Sequence, residues 1–497
     1  MRNNYWLGVD IGTGGSRALL LDSSGKEAAA VSVSHQDMTM QQPLWAEQDP
    51  GDWADAAFAA IRGSLAAAGI SGKQIRGVGV SGQMHGLVIL DRDHQVIRPS
   101  LIWCDQRSQP QVDWINQKLG AAKVVELTAN PVLTGFTLPK LLWVRDHEPQ
   151  QFARVRHLLL PKDYVRFRLT GELATDVSDA SGTALFDVVR RRWSFEAMDG
   201  LGLDRSILPK AYESSDATGT ISVQAAESTG LTARTPVAGG GGDQASGAVG
   251  NGIVTPGIVS CTLGTSGVVF AHLEDVAYDP QGRVHTFCHA VRDKWHVMGV
   301  TQGAGLSLQW FRNQFAPSAS YDELLAEAAQ SPPGARGLYW IPYLMGERTP
   351  HLDAAARGGW IGLTAKHTRA DLIRALIEGV SYSQKDCLDL LTAMGVKAAS
   401  VRASGGGARS RVWRQILADV FGTPVATLAS QEGSALGAAI LAMVATGEYS
   451  SVPEACGAIV RDQDAVEPRC EEAKIYAAGH KVYRSIYPAL KPLFPMM

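Results

Sequence analysis

Along the first 34 positions, apolar residues come in short runs broken by glycine. Tyr5–Ile11, Arg17–Asp22 and Glu27–Ser34 each have the length of a strand, separated by Gly12–Ser16 and Ser23-Ser24-Gly25. This pattern predicts a three-stranded antiparallel meander. The period changes at Asp52–Ala68, where Trp53, Ala57, Ile61 and Leu65 recur every fourth position and predict a helix with one apolar face. Ile75–Asp91 returns to a β-rich pattern, and helical periods dominate from Pro110 to Arg168.

A Gly/Ala-dense stretch, Val237–Gly252, separates the two halves, after which the opening pattern starts again. Ile258–Cys261 and Val268–His272 read as strands around the turn Gly264–Gly267, and Gly264-Thr265-Ser266-Gly267 nearly copies Gly12-Thr13-Gly14-Gly15. A helix is expected over Arg369–Met394, then a strand entering a triple-glycine loop at Arg402–Gly407. Ser410 is placed to cap a helix running through Phe421, and a strand (Pro424–Leu428) and a helix (Ala435–Ala445) follow. The matching context on both sides of the two Gly-Thr turns points to a diverged duplication. The expectation is an α/β chain of two similar domains, 1–249 and 250–497.

Composition narrows the classes. With 497 residues, 45% apolar and 19% charged, the chain is long enough for more than one domain and is not a disordered polymer. Lys+Arg total 46 against Asp+Glu 49, so no global positive field favours nucleic acid. Six scattered cysteines with no C-x-x-C read as reduced thiols. The most apolar stretch, Ala435–Thr446, falls short of the roughly 20 residues of a membrane span, and the N-terminus leaves no room for a signal segment. A cytoplasmic protein is expected.

The candidate chemistry lies at the glycine-rich breaks. There is no P-loop motif. Gly77-Val78-Gly79-Val80-Ser81-Gly82 fits a dinucleotide fingerprint, but the strand-like run Leu87–Asp91 follows where a helix should open, so a buried strand of small residues is the better reading. Gly12, Thr13 and Gly14, with Arg17 just after, and Gly264, Thr265 and Ser266 form two turns whose backbone N–H groups can converge on phosphates. Gly406-Gly407-Ala408-Arg409 is a third such loop, flat enough to lie against a nucleoside. Asp10 ends an apolar strand and suits a hydrated Mg²⁺, capping of the turn being the alternative. Asp243 follows four glycines at an expected helix start, and can serve as a general base toward a hydroxyl attacking a γ-phosphate, as an N-cap, or as both. Gln83-Met84-His85 and Trp103-Cys104-Asp105 combine amide, imidazole, aromatic and acid in the manner of a polyol pocket. His285, His289 and His296 alternate with apolar residues and read as a β-hairpin, not a zinc site.

In order and along almost the whole chain, these pieces resemble the FGGY carbohydrate kinases, of the sugar kinase, Hsp70 and actin superfamily. The stretches that carry it are Gly8–Thr13, Pro43–Pro50, Gly82–Gly86, Gly135–Trp143, Leu159–Tyr164, Gly241–Asp243, Leu263–Gly267, Pro342–Pro350 and Gly405–Arg409. The resemblance implies two ribonuclease-H-like domains with a cleft between them, ATP and Mg²⁺ as cofactors, a small sugar as partner, and a homodimer as the assembly common among relatives. It implies Asp243 as catalytic base and Asp10 as the acid supporting metal and phosphates. Met84, His85, Trp103 and Asp105 would contact the sugar, beside Gln83 and Gln244. Thr13, Arg17, Thr265 and the Gly405–Arg409 loop would hold ATP. Gln244 stands where Asn is usual after the base, and Cys104-Asp105-Gln106 replaces Asn-Asp-Gly. Within the family the Gln-Met-His-Gly run points to D-xylulose, phosphorylated at its 5-hydroxyl, before D-ribulose, L-xylulose or glycerol. A non-enzymatic ATP switch is the alternative outside it.

Overall fold

A computed structural model describes residues 4–430 and 432–497. The opening meander forms as the sequence predicts. β1 (Tyr5–Ile11), β2 (Gly15–Asp22) and β3 (Glu27–Ser34) pair antiparallel, and β4 (Ile75–Gly82) joins β1 in parallel. β5 (Ala217–Thr220), β6 (Pro236–Ala238) and β7 (Gly241–Gly242) complete a seven-stranded sheet of order β5-β6-β4-β1-β2-β3, with β7 also on β4. The β-rich run Ile75–Asp91 divides: after Gly82 the chain leaves this sheet, and Val88–Leu90 pairs with His157–Leu159. The helical stretch that follows is several short helices, among them Gln109–Leu119, Thr137–His147 and Pro161–Thr170, because glycine and proline interrupt it.

The second half repeats the plan. β8 (Gly257–Leu263), β9 (Gly267–Leu273) and β11 (Trp295–Thr301) pair antiparallel in turn, and β12 (Ala398–Ser404) lies parallel to β8. With β10 (His285–Cys288), β13 (Val425–Leu428) and β14 (Asp462–Val466), the order is β10-β11-β9-β8-β12-β13-β14. Each sheet is therefore a meander continued, on the side of its first strand, by two parallel strands and an antiparallel edge strand, which fits the duplication read from the two Gly-Thr turns. β10 and β11 are the predicted histidine-bearing hairpin.

Helices cover both sheets. α1 (Pro50–Ala68) starts two residues earlier than its periodicity indicates, because Asp49 caps it through Gly51 N and Pro50 occupies the first turn. Its predicted face (Trp53, Ala57, Ile61, Leu65) is buried under β2 and β3. Full burial of a side chain such as Ile61 or Leu65 contributes about 1.5–3 kcal/mol. α2 (Asp243–Gly250), α3 (Arg369–Ala393), α4 (Arg411–Phe421), α5 (Gly433–Ala445) and α6 (Cys470–Leu490) follow. α5 comes from the second half of the chain, yet it packs on β1 and β4 of the first sheet. A Cβ on Gly79 would lie 1.9 Å from the Ala438 carbonyl, and one on Gly8 2.0 Å from that of Ala435. The glycines of the apparent dinucleotide fingerprint thus bring a helix against the sheet.

Candidate active site

Three parallel strand ends build one wall of the site. In register, Asp10 of β1 and Gly241 of β7 both stand beside Ser81 of β4, so Asp10 and Asp243 flank the end of β4. Ligands in such sheets bind beyond the carboxyl ends of strands. Reaching this position requires glycine at 240, whose φ is +77° and whose Cβ would lie 1.8 Å from the Val80 carbonyl. Gly242 is the N-cap and Asp243 the first residue of α2, so Asp243 is not the capping residue. Burial, then the like charge of Asp10, raises the Asp243 carboxyl to about 7, against hydrogen bonding from Gln244. Burial raises Asp10 to about 6, while Ser81 and Arg17 pull it down. Asp10 Oδ1 is buried with no hydrogen-bond partner among the described residues, which suits a hydrated cation.

Behind Asp243 lies a buried ionic cluster. Lys162 Nζ reaches Asp163 at 2.5 Å and Asp176 at 2.9 Å. Asp176 Oδ2 accepts from the Ser178 and Ser214 hydroxyls, and Ser178 Oγ accepts from Gly242 N at 3.2 Å. The cluster anchors the turn that presents Asp243. Its members come from distant segments, so spacing along the chain carries no sign of it.

The sugar-side candidates gather next to Asp243. Met84 packs against Gly242, where a Cβ would meet Met84 Cγ at 2.7 Å. His85 stacks on Phe136 with centroids 4.7 Å apart, and its Nδ1 lies 2.7 Å from the Gly182 carbonyl. Only a donor can face a carbonyl, so Nδ1 carries the proton and Nε2 is an acceptor. Burial pushes His85 down to about 3, which keeps it neutral. Trp103 is 48% exposed and donates from Nε1 to Thr13 Oγ1 at 3.0 Å. Thr13 in turn donates to Gln83 Oε1, and Gln83 Nε2 donates to Gln48. The first Gly-Thr turn and the polyol motifs are thus one hydrogen-bonded unit.

Asp105 stands apart from this group. It is fully buried and accepts from Ala46 N and from Arg107, whose guanidinium lies 3.8 Å from the Trp45 ring centroid. Both its oxygens are engaged, so it braces the loop that carries Trp103 instead of opening to the cleft.

On the nucleotide side, a cavity of about 740 Å³ is lined by Gly264, Thr265, Gly406, Gly407 and Arg409, with Leu308, Gln309, Tyr321 and Trp413. Sequence reasoning named the five loop residues and missed the helical ones, whose spacing resembles any half-buried helix. A Cβ on Gly405 would touch the Leu263 carbonyl, so the two loops abut. Ser266 is exposed at the turn tip, whereas the Ala408 side chain is buried in the second core. The N-terminus of α5 lies near Asp10 and Asp243, and its N-cap Glu432 makes no side-chain cap. Ser434 Oγ donates to the Asp243 carbonyl, and Glu432 holds Arg17 bidentately at 2.5 Å. Free N–H groups at a helix start are a ready anion site.

Family models of the FGGY carbohydrate kinases match here twice, the N-terminal domain at residues 5–250 and the C-terminal domain at 259–446. The chain belongs to the FGGY family. It is 39% identical over 489 residues to a xylulose kinase of Bacillus subtilis, covering 98% of each chain. It is 40% identical to one of Klebsiella pneumoniae, covering 98% of this chain and 99% of the relative. The structure of a ligand-bound xylulose kinase from Lactobacillus acidophilus superposes with a TM-score of 0.94 over 99% of both chains, at 27% identity. As an FGGY kinase the protein phosphorylates a sugar with ATP and a divalent metal, and its two-domain α/β fold is the one the family carries. No helix among the described residues is long and apolar enough to cross a membrane.

Proposed function

We propose that this FGGY kinase transfers the γ-phosphoryl group of ATP to the 5-hydroxyl of D-xylulose, with Asp243 as general base. The observation that carries this reading is a carboxyl raised to about 7 at a helix start, one residue from the Met84–His85 pocket. A base with its pKa near working pH combines a useful ionised fraction with affinity for the proton. Asp243 takes the proton of the 5-hydroxyl as that oxygen attacks the γ-phosphorus and the bond to ADP breaks. His85 Nε2 accepts from a sugar hydroxyl, and the exposed Trp103 face covers the carbon chain. Gln83 holds the Thr13 turn, Gln244 restrains the Asp243 carboxylate, and Asp105 acts through the loop it braces. The Gly12–Gly14 and Gly264–Ser266 turns, Arg17 and the Gly406–Arg409 loop bind ATP, with Ala408 holding that last loop against the core. Asp10 would hold Mg²⁺ through water, and the bound ion would neutralise charge on the phosphates. The domains we propose are 1–249 and 250–497. Six unpaired thiols fit a reducing compartment, and we place the enzyme in the cytoplasm.

A panel of D-xylulose, L-xylulose, D-ribulose and glycerol with coupled ADP detection tests this. D-xylulose is expected to give the highest kcat/KM. Preference for another acceptor would reassign the substrate, and ADP release unaffected by any sugar would favour an ATP switch.

A further inference from the structure

The motif Pro342–Pro350 brings an arginine to His285, beside the Phe136 ring on which His85 stacks. Arg348 comes from the second half of the chain, on the loop between Ile341 and Gly359. Its backbone is held by Glu347, whose Oε1 accepts from the amides of Gln302 and Arg348, and by Thr349, which bonds Val300 of β11. Its guanidinium makes one hydrogen bond, from Nη2 to His285 Nε2 at 3.0 Å. Among the described residues no carboxylate lies within 4 Å of it.

The partner at that bond is a neutral acceptor. Asn130 Nδ2 donates to the Thr128 and Thr286 carbonyls, so its Oδ1 faces His285 Nδ1 at 3.1 Å and accepts its proton. Nε2 is left with a lone pair toward Arg348. The guanidinium is therefore aimed but not neutralised. Glu347 is the nearest counter-charge, and burial raises its carboxyl to about 8, so it offsets the guanidinium only in part; a largely desolvated cation so weakly countered is costly unless another group supplies acceptors.

The position says what that group is. From Asp243 the wall runs through Gly242 to Met84, then His85, stacked on Phe136. The centroids of Phe136 and His285 are 5.9 Å apart, and Arg348 lies beyond. A five-carbon ketose with its 5-hydroxyl at Asp243 directs its carbonyl end along this wall. We propose that Arg348 is a specificity-determining residue, its free N–H groups donating to the carbonyl-end oxygens O1 and O2 of the ketose. The inference rests on the D-xylulose reading of the site.

The test compares Arg348→Gln, Arg348→Lys and His285→Asn with wild type for KM of D-xylulose, kcat, binding of a non-hydrolysable ATP analogue, and melting temperature. A hydrogen bond from a charged donor corresponds to about a 10- to 100-fold rise in KM for Arg348→Gln. Arg348→Lys is expected to recover part of this, and His285→Asn to show a smaller rise, with analogue affinity unchanged. KM within twofold of wild type in Arg348→Gln overturns the inference. Should that variant fail to fold, unchanged KM in both others does so. Absence of D-xylulose turnover in the wild type would instead overturn the substrate reading.

Discussion

Burial, with a smaller push from the charge of nearby Asp10, holds the Asp243 carboxyl at about 7. The base works only when ionised, and kcat/KM for the sugar should therefore rise with pH through about 7 and level off above it, in a pH–rate profile. A flat profile from pH 5 to 8 would contradict the assignment. The same shift bears on stability. The folded carboxyl holds its proton to about 7 while the unfolded one ionises near 3.8, so the penalty grows across that window and is complete above it. Asp243→Asn should raise the melting temperature at pH 8 and do so less at pH 5, a stability gain at the cost of function. Both acids were legible in the sequence, one ending an apolar strand and the other set among glycines. The bracing role of Asp105, read from the sequence as a sugar contact, was not, because its partners Arg107 and Ala46 and the Trp45 ring come together only through folding.

At the scale of elements, the site depends on α5. This helix crosses from the second half of the chain, lies against β1 and β4, and aims its N-terminus at the space beside Asp10 and Asp243. Gly79→Ala would set a methyl group against the Ala438 carbonyl; overpacking of this kind costs about 1–3 kcal/mol or more, read as a lower melting temperature. Gly406 is a contrast, since its φ of −60° suits alanine and a Cβ there meets open space. Gly406→Ala should leave the melting temperature unchanged and raise KM for ATP, in steady-state assays. Periodicity revealed α1, whose one apolar face is buried, and glycine breaks between strand-length apolar runs revealed the meander, because each pairs with a neighbour close in sequence. It did not reveal that α5 packs on the first sheet. An apolar Ala-rich helix reads the same wherever it docks.

The whole molecule consists of two copies of one sheet plan facing a cleft, and the groups expected to react stand on opposite sides of it. Asp10, Asp243 and His85 belong to the first copy, and the Gly264 and Gly406 loops to the second. Arg17 pairs with Glu432 at the start of α5, the helix that crosses onto the first sheet, and the arginine is 37% exposed. Partly exposed pairs contribute about 1 kcal/mol or less, so a phosphate can take Arg17 from Glu432 at small cost. Closure on D-xylulose and a non-hydrolysable ATP analogue should reduce the radius of gyration in solution scattering, whereas either ligand alone should reduce it less. The duplication was visible in two Gly-Thr turns because hairpin loops need particular residues. The cleft itself was not, since it is made of spaces between segments.

The most direct test of the account follows D-xylulose-dependent ADP release together with the phosphorylated sugar formed, in wild type and in Asp243→Asn. The account predicts one D-xylulose 5-phosphate per ADP in the wild type, and in the variant a kcat about 10²–10⁴-fold lower with D-xylulose still bound. Near-normal turnover by a folded Asp243→Asn protein would contradict it.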